Sequence, residues 1–103
     1  MEVWSLYLLR CSDGSVYTGI STDVERRVRQ HESGAKGAKY LRGRGPLQLL
    51  YQREIGDRSL ASRVEYQVKQ LSRQEKEDAV NLHDAIESLL QKMKRQFDPV
   101  LEG

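Results

Sequence analysis

The dipeptide Asp13-Gly14 stands between two strand-like runs, Val3-Trp4-Ser5-Leu6-Tyr7-Leu8-Leu9 and Ser15-Val16-Tyr17-Thr18-Gly19-Ile20. Glycine tolerates the positive φ that tight hairpin turns demand, so this spacing predicts two antiparallel strands. The first run is too continuously apolar for a strand with one wet face and reads as buried. The second is rich in β-branched and aromatic residues, which fit a pleated surface. Thr22 followed by Glu25 has the capping-box spacing, so a helix is expected from near Asp23 to about Ser33-Gly34. A hairpin that feeds straight into a helix leaves few ways to arrange the first third of the chain.

Further along, Leu47 to Ile55 reads as a third strand ending at Gly56. A helix follows from about Asp57 or Ser59, with Leu60, Val64, Val68 and Leu71 on one face and Glu65 at its border. Ser72 with Glu75 is another capping box, and Asn81 with Asp84 has the form of a third cap. That cap opens an amphipathic helix through Ile86, Leu89, Leu90, Met93 and Phe97, stopped by Asp98-Pro99. The order β-β-α-β-α-α-α with a small three-stranded sheet is an α+β architecture. At 103 residues the chain is expected to be one domain, with a motif core over about 3–73 and C-terminal helices over 74–97. The apolar stripe of the last helix is expected to pack on its own domain, because small domains need the buried area.

Net charge is only +2, but its distribution is uneven. Between Arg26 and Arg44 seven basic residues stand against one acid, whereas from Leu47 onward nine basic residues face ten acidic ones. A concentrated positive stretch is the footprint of an anionic partner, with nucleic acid first among them. Arg26, Lys36, Lys39, Arg42 and Arg44 are the candidate phosphate contacts, and Tyr40 the candidate for base stacking. No window approaches the roughly 18 apolar residues of a membrane span. The single cysteine, Cys11, has no second thiol to pair with, and the first residues lack the basic start and cleavage site of a secretory signal. The expected compartment is the cytoplasm.

On the first helix Val24 and Val28 form the apolar stripe. At 100° per residue Arg27 and His31 fall on one flank of it, while Arg26, Arg29 and Gln30 point away. Hairpin and helix would thus bring two phenols, Tyr7 and Tyr17, to the same place as a guanidinium and an imidazole. That set suits a phosphodiester. Its transition state gains negative charge on nonbridging oxygens, which a planar, permanently charged guanidinium can stabilise. Taken singly, each residue has an ordinary explanation. Tyrosines on strands usually pack. Arg27 and His31 fit a solvated helix flank, and Glu65 with Lys69 is a favourable i,i+4 pair worth ~0.2–0.5 kcal/mol. Trp4 and Tyr51 read as packing residues, His83 as a surface residue, and Cys11 as a small residue at a strand end.

The ordered set Tyr7, Tyr17-Thr18-Gly19, Arg27-x-x-x-His31 and a later helical Glu65 resembles the GIY-YIG nuclease superfamily, over most of the chain from Val3 to about Arg73. More narrowly, it is similar to the small stand-alone bacterial members. The first motif keeps its tyrosine without the glycine, and Glu77 stands twelve residues beyond Glu65, where some members have asparagine. The resemblance implies that Tyr7 and Tyr17 lie in the active site and assist in activating water. Gly19 would allow close backbone approach, Arg27 would contact the scissile phosphate, and His31 would position or deprotonate the nucleophile. Glu65 would hold one divalent ion, Mg2+ or Mn2+.

One carboxylate plus a substrate phosphate is a normal magnesium site, because that ion takes oxygen ligands and keeps several waters. A phenol of ordinary pKa ~10 is a poor base unless its neighbours perturb it. The expected function is a metal-dependent DNA endonuclease in DNA repair or processing. The alternatives are a non-catalytic nucleic-acid-binding module, or an interaction subunit of the same fold.

Overall fold

The computed structural model describes residues 2–33 and 46–97. Its elements run in the expected order: β1 (Trp4–Arg10), β2 (Val16–Ser21), α1 (Val24–Ser33), β3 (Gln48–Gly56), α2 (Arg58–Lys69), α3 (Arg73–Glu77) and α4 (Ala79–Phe97). The strands form one sheet in the order β2-β1-β3, with both pairs antiparallel. The continuously apolar β1 is the central strand, and Ser5 to Leu9 are all buried. Polar residues on β2 and β3 follow from their edge positions, each with one side open to solvent.

The hairpin turns at Gly14, whose φ of 86° is the left-handed value expected of it. Its amide donates to the Cys11 carbonyl at 3.0 Å, and Cys11 N–H donates to the Ser15 carbonyl at 2.8 Å. Asp13 tightens the loop by accepting from both the amide and the hydroxyl of Ser15. A five-residue connection thus replaces the two-residue turn that Asp-Gly alone would favour.

Because β1 is pleated, its side chains split between two layers. Leu6 and Leu8 face α2 and α4, joining Ile55, Ala61, Val64, Val68, Leu82, Ile86, Leu90 and Met93 in the larger core. Tyr7, Leu9 and Cys11 face α1 and pack with Val24, with Tyr17 and Val28 at the margin. The stripe of α4 therefore covers its own domain, and deleting one such fully buried leucine side chain should cost about 2–5 kcal/mol.

Two helix starts differ from the sequence reading. Asp23, rather than Thr22, caps α1, accepting from the Arg26 amide at 3.1 Å. Asp78 rather than Asn81 caps α4, accepting from the Asn81 backbone amide at 3.3 Å and from its side-chain amide at 2.7 Å. Asn81 therefore lies inside the helix. The other starts follow the chain's signals. Asp57 caps α2 through the Leu60 amide, and Ser72 with Glu75 closes a full capping box on α3. Contacts between side chains fix the helices to the sheet. Arg53 makes a two-pronged ion pair with Glu87, and the Tyr51 hydroxyl lies 3.0 Å from His83 Nδ1. Arg10 pairs with Glu77 at 3.2 Å, and Arg58 stacks 5.3 Å from the centre of the Trp4 ring.

Candidate active site

Tyr7 is the centre of the smaller layer, and its neighbours explain how a large polar ring can be 1% exposed. Directly across the ladder from it stands Gly19. A Cβ at that position would meet the Tyr7 Cζ and hydroxyl at 2.7 Å and the Tyr17 ring at 3.0 Å. Glycine is thus required so that the phenol can lie over the β2 backbone. Tyr17, two residues before Gly19 on β2, points to the same face and lies 6.2 Å from Tyr7 between ring centres.

From the other side α1 brings His31, itself only 3% exposed. The Tyr7 hydroxyl lies 3.0 Å from His31 Nε2, and the imidazole meets the Tyr17 ring edge-on at 5.6 Å. Val24, one α-helical face away, is what seats α1 against Tyr7 and Leu9. One turn before His31, Arg27 is half-buried and donates from Nη1 to Gln30 Oε1 at 3.3 Å. Helical spacing alone placed Gln30 away from this flank, but its long side chain reaches back three residues to brace the guanidinium. Glu65 reaches the site from α2, where it is half-buried and pairs with Lys69 at 3.6 Å.

Electrostatics tie these groups together. Burial pushes the Tyr7 phenol far up, reinforced by Tyr17 and opposed by the charge and hydrogen bonding of Arg27. Burial also raises Tyr17; Arg27 opposes that shift, Glu65 adds to it, and a hydrogen bond with Tyr7 lowers it. His31 is held below the ordinary imidazole value, first by burial and then by the Arg27 charge. Near neutral pH the imidazole is uncharged.

Of the residues read from the sequence, Tyr7, Tyr17, Gly19, Arg27, His31 and Glu65 converge here. Arg26 lies on the solvent side of α1, away from them. Lys36, Lys39, Tyr40, Arg42 and Arg44 lie outside the described residues. Glu77 pairs with Arg10 at 3.2 Å. As a donor set for a metal, the site offers one partly buried carboxylate beside a phenol. Among the described residues no three of His, Cys, Asp and Glu gather around a common point. A single hard oxygen donor fits magnesium or manganese completed by water and phosphate.

Fold and site together define a small α+β domain built around a phenol, imidazole and guanidinium centre. The model of the GIY-YIG catalytic domain matches residues 3–78, and the chain belongs to that nuclease family. It is similar to the UPF0213 protein YhbQ of Salmonella arizonae, 52% identical over 103 residues that cover 100% of this chain and 99% of that one. The UPF0213 protein YhbQ of Escherichia coli is 59% identical over 80 residues, covering 78% and 79% of the two chains. The solution NMR structure of the E. faecalis protein EF2693 superposes with a TM-score of 0.56 at 34% identity, covering 82% of this chain and 90% of that one. No described helix is long and apolar enough to cross a membrane.

Proposed function

We propose that this single-domain protein is a metal-dependent DNA endonuclease, acting in the cytoplasm in DNA repair or processing. The observation that carries this reading is the convergence of Tyr7, Tyr17 and His31 in mutual contact, with Arg27 and Glu65 close enough to shift the tyrosines.

In this reading the neutral His31 is the tautomer that donates from Nε2 to the Tyr7 hydroxyl 3.0 Å away, which would leave the Tyr7 proton to be offered to Tyr17. The Tyr17 oxygen keeps a lone pair for the attacking water, and its phenolate is stabilised by the Tyr7 donor and by Arg27. We assign the role of general base to Tyr17, the more exposed of the two phenols, with Tyr7 and His31 positioning it. Arg27, braced by Gln30, offers a fixed fork to the nonbridging oxygens of the scissile phosphate as their charge grows. Glu65 would hold Mg2+ or Mn2+, which when bound polarises the phosphate and stabilises the leaving oxygen.

The test is nicking of supercoiled plasmid and of single-stranded and branched DNA, with and without magnesium. Cleavage that needs the metal and disappears in Glu65→Ala and Arg27→Ala supports the reading. Binding without cleavage in magnesium and in manganese would make the protein a nucleic-acid-binding module. Nicking that survives both substitutions would mark a contaminant.

A further inference from the structure

The catalytic residues account for only one side of Tyr17. On its other side a cleft of about 310 Å³ runs along the free edge of β2, lined by Val16, Tyr17, Thr18, Lys69 and Lys76. Two cations and no acid line it. Lys69 comes from the last turn of α2 and Lys76 from α3, so the turn between these helices is what brings them together. Among the described residues no carboxylate lies within ion-pair distance of Lys76. Burial and the neighbouring Lys69 charge both push its ammonium below the ordinary lysine value. Thr18, 3% exposed, belongs to the same wall, and its hydroxyl has no hydrogen-bond partner among the described residues. Lys69 already has Glu65 at 3.6 Å, but among the described residues Lys76 has no carboxylate of its own, and its charge held close to that of Lys69 is an arrangement that an anion in the cleft would relieve.

We propose that this cleft holds a second backbone phosphate of the cleaved strand, beside the scissile one, with Lys69 and Lys76 as its charge partners. The inference rests on the nuclease reading and adds to it a path for the strand. Glu65 and Lys69 are one helical turn apart on α2, about 6 Å at the usual rise. Successive phosphates advance about 3.4 Å along the axis of a strand, so the cleft receives a phosphate one or two nucleotides from the cut. The strand then crosses the edge of β2, passing from Arg27 on one face of the sheet to the lysines on the other. Lysines beside a free strand edge also discourage pairing with other chains, but that role carries no dependence on DNA.

The experiment measures equilibrium binding of an oligonucleotide against salt, without divalent metal, for the wild type, Lys76→Met and Lys76→Arg. Methionine keeps the buried stem and removes the charge, and thermal melts verify that each variant is folded. The slope of log affinity against log salt should fall by about 0.7–0.9 in Lys76→Met and return in Lys76→Arg. A single methylphosphonate walked along the strand should weaken wild-type binding at one position that Lys76→Met no longer senses. An unchanged slope together with unchanged methylphosphonate sensitivity would overturn the inference even if the enzyme cuts normally. A shifted slope in a protein that cuts nothing would uphold the cleft and reject the nuclease. Inorganic phosphate at constant ionic strength should not displace the oligonucleotide; displacement at low concentration would make free phosphate the ligand and overturn the assignment to a strand.

Discussion

The Tyr7 hydroxyl and His31 Nε2 lie 3.0 Å apart, and both residues are almost wholly removed from solvent. This bond joins the central strand to α1 across twenty-four residues of chain. Tyr7→Phe would leave a buried imidazole nitrogen without this partner, at a cost of about 1–3 kcal/mol. Denaturant melts should show that loss. Under the proposed assignment turnover should fall less than in Tyr17→Phe, because Tyr7 would act by positioning its neighbour. A larger kinetic defect in Tyr7→Phe than in Tyr17→Phe, in folded protein, would exchange the two assignments.

Stability should depend on pH through His31. Its folded-state value is depressed by burial and by Arg27, so the contribution is complete above the unfolded value of about 6.5. It is lost as pH falls through the folded value, because the unfolded chain then binds a proton that the buried ring resists. Melting temperature should drop between pH 7.5 and 5.5, and His31→Gln should flatten that dependence. An equal slope in the variant would assign it to other groups.

Gly19→Ala should damage the site more than so small a change normally would. The new methyl group would lie 2.7 Å from the Tyr7 ring and hydroxyl, and relieving such overpacking typically costs about 1–3 kcal/mol. The displaced phenol would also lose its alignment with Tyr17. A variant with both wild-type stability and wild-type turnover would show that Tyr7 has another place to go.

Arg27→Ala should lower turnover by ~10²–10³, as removal of one preorganised donor does elsewhere. Arg27→Lys should recover little of it, since a point charge lacks the fork that Gln30 braces. Glu65→Gln should abolish the metal requirement together with activity, while DNA binding measured without metal stays near that of the wild type. Weakened binding in Glu65→Gln under those conditions would mean that the carboxylate organises the DNA surface rather than an ion.

The element order was legible because most boundaries carry their own chemistry: Gly14 in its left-handed turn, Asp57 at the start of α2, and the reciprocal Ser72–Glu75 cap. Errors arose where capping residues crowd together. Ser21-Thr22-Asp23 offers three candidates, and the carboxylate of Asp23 was the one that reached the Arg26 amide. Likewise Asp78 follows α3 so closely that α4 begins before Asn81. In the site, the flank shared by Arg27 and His31 followed from helical periodicity. Gln30 was missed because a helical wheel assigns each residue one direction, while a long amide side chain can fold back along the helix. The meeting of Lys69 and Lys76 was not legible at all, since it depends on the angle between two helices joined by a short turn.

The distance in sequence between Tyr7 and Glu65 also matters while the protein is being made. Tyr7, Tyr17, Arg27 and His31 leave the ribosome well before Glu65, and α2 seats itself only when Val64 and Val68 find Leu6 and Leu8. A nascent chain therefore carries its phenols, guanidinium and imidazole before it has the Glu65 carboxylate proposed to hold an ion. On the nuclease reading, catalytic competence would come only with the docking of α2, so an incomplete or misfolded copy would be harmless to the DNA around it.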